Sequence, residues 1–83
     1  MRINLRLFAI LRERAGAAEL ELDLPEGATI EQAIHTLRDR LPAVSDYVSR
    51  SAYAVNRTYA PLTTVLQDGD ELALIPPVSG GTK

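Results

Sequence analysis

The stretch that most constrains this fold is the end of the chain, LQDGDELALIPPVSGGTK, from Leu66 to Lys83. Asp68-Gly69-Asp70 signals a turn, and a short apolar run, Leu72-Ala73-Leu74-Ile75, follows at once. Pro76 and Pro77 then end any strand, because neither can donate a ladder hydrogen bond. Beyond them Val78, Ser79, Gly80 and Gly81 have little bulk with which to fold back. Such an ending finishes a core poorly but holds a thin tail clear of the body well. Residues 1–75 are therefore expected to form one domain, and residues 76–83 a flexible tail that threads into a partner's pocket.

The platform reads as strands and one strong helix. From Arg2 to Phe8, Ile3, Leu5 and Leu7 alternate with Arg2, Asn4, Arg6 and Phe8, the period of a half-buried strand. Phe8 is out of place on a polar face: either a loop covers it, or it is a contact patch. A short helix over residues 9–16 closes at Gly16, and Glu19–Leu24 alternates as a second strand. Thr29-Ile30-Glu31-Gln32 is a capping box, and Ile30, Ala33, Ile34, Leu37 and Leu41 continue as one helical stripe. Glu31, His35, Arg38 and Asp39 fall on the opposite side, so His35 reads as a solvated surface residue. Residues 43–51 are polar and suggest only a short irregular helix near Asp46–Arg50. Ala52–Val55 is a short strand turning at Asn56-Arg57, and Tyr59–Val65 reads as irregular or weakly extended.

A helix stripe must be buried against a sheet face. The order strand, strand, helix, short strands and final strand fits an α+β, ubiquitin-like β-grasp with a mixed sheet. If the last strand lies beside the first, Leu72 and Leu74 join Ile3, Leu5 and Leu7 beneath the helix. Ala73 and Ile75 then share the outer face with Phe8. Apolar groups clustered on the solvent side, near the tail, point to a partner interface.

Composition removes other classes. With no cysteine among 83 residues and a single histidine, thiolate catalysis, cysteine-based zinc sites and a histidine metal cluster are excluded, and no metal site is expected. A net charge of −2 argues against nucleic acid as the partner. No apolar run approaches the about 20 residues of a membrane span, and the start, MRINLRLFAI, does not read as a signal peptide. A cytoplasmic protein without membrane partners is the expectation. No residue pair makes a credible acid–base or nucleophile arrangement, so a free-standing enzyme is the least favoured reading.

Along nearly its whole length the chain resembles the small subunits of molybdopterin synthase, which are ubiquitin-like sulfur carriers. The likeness rests on Leu7-Phe8-Ala9, Leu11-Arg12-Glu13, Ala54-Val55-Asn56, Leu66-Gln67-Asp68-Gly69-Asp70-Glu71 and Pro76-Pro77-Val78-Ser79-Gly80-Gly81. The Gly-Gly alone is weak evidence; D-G-D-E-x-x-x-x-P-P-V-S-G-G at this distance from the start is specific. The resemblance implies a carrier that binds no cofactor of its own. An E1-like activating enzyme uses ATP to adenylate the carboxylate of Gly81, and a sulfur donor protein converts it to a thiocarboxylate. The tail then enters the synthase large subunit and gives sulfur to cyclic pyranopterin monophosphate. Residues matching Phe8, Tyr59 and Ile75 contact that large subunit in the family, and Arg12 is a further candidate for a salt bridge to it.

The chain departs from the pattern at its end, because Thr82 and Lys83 follow the Gly-Gly. An amide at Gly81 cannot be adenylated. Trimming by a protease, membership of a longer fusion, an artificial ending and a degenerate copy that no longer carries sulfur are the alternatives. The intact PPVSGG favours trimming or a fusion. Carriers for thiamine, cysteine or tRNA thiolation, a ubiquitin-like protein modifier joined through Gly81, and a non-covalent β-grasp interaction module are the rival functions.

Overall fold

In the computed structural model, which describes residues 1–77, nine short elements build one sheet with its helices on one side. In chain order they are β1 (Arg2–Leu7), α1 (Ala9–Ala15), β2 (Glu19–Asp23) and α2 (Ile30–Arg40). A 3₁₀ turn (Pro42–Val44) leads into α3 (Ser45–Val48), then β3 (Ala52–Val55), β4 (Thr58–Tyr59) and β5 (Glu71–Ile75). The strand order is β2-β1-β5-β3-β4, with β1 and β5 parallel at the centre and every other neighbouring pair antiparallel. This is the expected β-grasp architecture.

The core follows from strand parity. Leu5 pairs with Leu72 and Leu7 with Leu74 across β1 and β5, while Ile3 faces Leu22 across β1 and β2. All six are buried together with Ile30, Ala33, Ile34 and Leu37 of α2. Every amide in the first turn of α2 finds a partner, which fixes the helix over the sheet. Thr29 Oγ1 accepts from Gln32 N–H at 3.4 Å, and Gln32 Oε1 accepts from Thr29 N–H at 2.9 Å, closing the capping box. The Ile30 and Glu31 amides donate instead to Thr64 O and Leu62 O at 3.0 and 3.1 Å. The irregular segment after β4 is thus a second cap for α2.

Turn chemistry sets the register of the central pair. Asp70 N–H donates to Gln67 O, and Gly69 at φ 86 supplies the left-handed residue that a type II turn requires. Asp68 Oδ1 accepts from Arg2 N–H at 2.7 Å, and Gly69 N–H donates to Arg2 O at 2.8 Å. The DGD motif therefore ties the start of β5 to the start of β1, a structural role rather than a chemical one.

Several elements differ from the sequence reading. The first strand stops at Leu7, and Phe8 caps α1; Ala9 at φ 51 turns the chain out of the sheet there. The second strand ends at Asp23, with Leu24 buried just beyond it. The segment read as polar contains Val44 and Val48, both fully buried. Four residues apart on successive turns, they reach the core while Asp46 and Ser49 stay in solvent. Tyr59 belongs to a strand, because Asn56 and Arg57 form a tight two-residue hairpin turn that brings Thr58 back against Val55. Arg38, expected on the exposed face of α2, is half-buried, and its Nε lacks a partner among the described residues.

Candidate functional site

The outer sheet face carries one row of side chains across four strands: Arg6, Ala73, Ala54 and Tyr59, as the register dictates. Alanines in the middle and larger side chains around them make a shallow depression of about 290 Å³, also lined by Phe8, Ile75, Arg57 and Glu71. Phe8 keeps extended backbone angles (φ −121, ψ 154), so the β1 alternation carries one residue past the strand and its ring emerges on this face. The ring is 38% exposed and Tyr59 is 72% exposed, against full burial of the leucines on the opposite face. The Arg6 guanidinium lies 5.6 Å from the Phe8 ring centroid and pairs with Glu71 at 3.5 Å, which holds the aromatic in place without covering it.

Phe8, Tyr59 and Ile75, chosen from the sequence, thus meet in one place. Arg12 does not join them; it is exposed on α1 and lines no part of this depression. Arg6, Arg57 and Glu71 escaped the sequence reading. Arg6 could have been found, since it shares the outward phase of β1 with Phe8. Glu71 could have been found as well, in the outward phase of β5 with Ala73 and Ile75, whereas Arg57 depends on the hairpin and on the β3–β5 pairing, which no local pattern reveals.

Beyond Ile75 the described chain continues for two residues. Pro76 is half-buried and Pro77 exposed, and both line a second hollow of about 470 Å³ with Ala9, Ile10, Tyr47 and Arg50. Val78, Ser79, Gly80 and Gly81, with Thr82 and Lys83, lie outside the described residues. Elsewhere the titratable groups serve the fold. His35 is exposed, its Nε2 3.8 Å from Asp39 Oδ2 one helical turn on. The Tyr53 hydroxyl donates to Val48 O at 2.7 Å, and burial pushes its pKa above the usual 10.0. The Arg2 guanidinium is held above its usual pKa by its hydrogen bond to Asp23 and by the charges of Asp23 and Glu21. Among the described residues no group of three or more His, Cys, Asp or Glu side chains could hold a metal ion. None of their helices is long and apolar enough to cross a membrane. What this surface offers chemically is docking, with an apolar floor, an aromatic rim and a few charges.

Comparison with known proteins gives this geometry a context. The ThiS family model matches residues 5–81. The molybdopterin synthase sulfur carrier subunit of Arabidopsis thaliana is 37% identical over 79 residues, covering 95% of this chain and 82% of that protein. Its namesake in Mycobacterium tuberculosis is 35% identical over 82 residues, covering 98% and 99%. Among solved structures, small archaeal modifier protein 1 of Haloferax volcanii superposes with a TM-score of 0.89 at 34% identity, covering 98% of this chain and all of that one.

Proposed function

Because the chain belongs to the ThiS family, we propose that it is the sulfur-carrier subunit of a molybdopterin synthase. One observation carries this reading: the apolar depression of Phe8, Tyr59 and Ile75 opens at the end of β5, the strand from which Pro76-Pro77 leads to the Gly-Gly. A docked partner thus receives a rigid platform and, from the same strand, a tail bearing the reacting group.

In this proposal the carboxylate of Gly81, once it ends the chain, attacks the α-phosphate of ATP on an E1-like activating enzyme and releases pyrophosphate. A sulfur donor protein then supplies sulfur at the sulfide level, which attacks the acyl carbon and expels AMP, leaving a thiocarboxylate. Docked in the synthase large subunit, the thiocarboxylate is the nucleophile toward cyclic pyranopterin monophosphate. The carrier needs no general base, since the nucleophile is made elsewhere. Gly80 and Gly81 lack side chains, so backbone can pass a narrow channel and the carboxyl carbon can be approached closely. Pro76 and Pro77 restrict the free tail and so lower the ordering cost of docking. All these steps belong to the cytoplasm.

The test is the intact mass of the untagged protein from its native cell, before and after incubation with the activating enzyme, ATP and a sulfur donor. A species ending at Gly81 that exchanges one oxygen for sulfur supports the carrier. If every molecule keeps Thr82 and Lys83 and stays unchanged, the reading fails.

A second reading is favoured by the likeness to a small archaeal modifier protein: Gly81 would form isopeptide bonds with lysines of other proteins. Gly-Gly remnants on lysines after proteolysis of cell extracts would support it, and their absence from a sensitive search would remove it.

A further inference from the structure

The two central residues of the β3–β4 turn are held very differently. Asn56 is clamped: its Nδ2 donates to Asp70 Oδ1 at 3.0 Å, and its Oδ1 accepts from Glu71 N–H at 3.0 Å. The Arg57 guanidinium has no hydrogen-bond or ion-pair partner among the described residues. Yet its backbone sits at φ 72, a region that glycine enters freely and that a Cβ resists. In a hairpin turn with both central residues at positive φ, glycine is the favoured second residue. Arginine is a poor choice for this turn.

The same arginine lines the depression of Phe8, Tyr59 and Ile75. Of the other charges there, Arg6 and Glu71 pair with each other at 3.5 Å. Asp70, the remaining carboxylate near this turn, accepts from Asn56 Nδ2 and from Gln67 N–H. Arg57 is the charge that this surface leaves uncompensated. Unfavourable backbone conformations persist where the surrounding structure imposes them, and they cluster at functional sites.

We propose that Arg57 anchors a carboxylate of the partner surface that docks over Phe8, Tyr59 and Ile75. The inference rests on the docking reading above and adds the chemistry of one contact. The forked guanidinium donors match a carboxylate. A phosphate cluster fits poorly, because it needs several cations and would meet the Glu71 carboxylate in the same depression. Placed on an exposed turn, the pair acts on association rate and orientation more than on the lifetime of the complex.

The experiment measures association and dissociation of the synthase large subunit from the same genome with the parent, Arg57→Gly, Arg57→Lys and Arg57→Glu, at low and high salt. Arg57→Gly is expected to melt about 4 °C higher while binding about threefold more weakly at low salt, mainly through slower association. Arg57→Glu is expected to lose about tenfold or more, and Arg57→Lys to recover most of the binding. High salt brings the variants together. A more stable protein that binds less well cannot owe its loss to unfolding. The inference is overturned if Arg57→Gly binds like the parent with the same salt dependence, or if it is no more stable. In either case Phe8→Ala still tests the docking reading alone. If the parent itself does not bind the large subunit, that reading fails and takes this inference with it.

Discussion

The two faces of this one sheet obey opposite rules although the same strands make both. Under α2, Leu5, Leu7, Leu72 and Leu74 are branched, similar in size and fully closed off. On the outer face the central positions are Ala54 and Ala73, and the bulk stands at the edge in Phe8, Tyr59 and Ile75. Close packing with volume in the middle makes a core, whereas a small-residue floor with a large-residue rim makes a seat. The difference separates what keeps the protein folded from the surface proposed to meet a partner.

That separation makes quantitative demands. Leu72→Ala should cost about 2–5 kcal/mol of stability by leaving a cavity beneath α2, read from chemical denaturation. Any folded fraction should still dock normally, and a specific docking defect would break the division of labour. Phe8→Ala and Tyr59→Ala should do the reverse. Each should weaken docking to the large subunit by about 1–3 kcal/mol, measured by calorimetry, while stability moves by less than about 1 kcal/mol. Thr29→Ala removes half of the capping box and should lower stability by about 1 kcal/mol with docking untouched.

The smallest effect sharpens the inner face. The Tyr53 hydroxyl is held neutral by burial, so its folded pKa lies above the unfolded value near 10.0. The unfolded chain then loses this proton first, so the stability the phenol contributes is fully present below the unfolded pKa and is lost as pH rises through the higher folded one. Tyr53→Phe should cost no more than about 1 kcal/mol at neutral pH, for the lost bond to Val48. It should also flatten the alkaline fall in melting temperature; an unchanged fall would show that another group causes it.

Much of this is legible in the sequence. The alternation of β1, β2 and β5 put the right residues on each face, and Thr29 with Gln32 marked the start of α2. Those signals are local: a strand has period two, and a capping box closes within one turn. Val44 and Val48 were hidden because two valines among polar neighbours give too short a pattern for a period to emerge. Phe8 lies past the end of the strand yet keeps the outward phase, since parity outlasts the ladder by one position. Arg12 was carried by resemblance alone, and the helix it sits on takes it away from the depression.

The alternating faces, the helix start and the Pro-Pro stop before the Gly-Gly can be read from the sequence, because each is set by backbone geometry within a few residues. Tertiary contacts alone bring Arg57 and Tyr59 onto the surface that Arg6, Phe8, Glu71 and Ile75 share. Their meeting depends on a parallel pairing of the first and last strands and on a hairpin folded against them. Those contacts join residues far apart in the chain, and they are fixed by burying the leucines on the other side of the sheet.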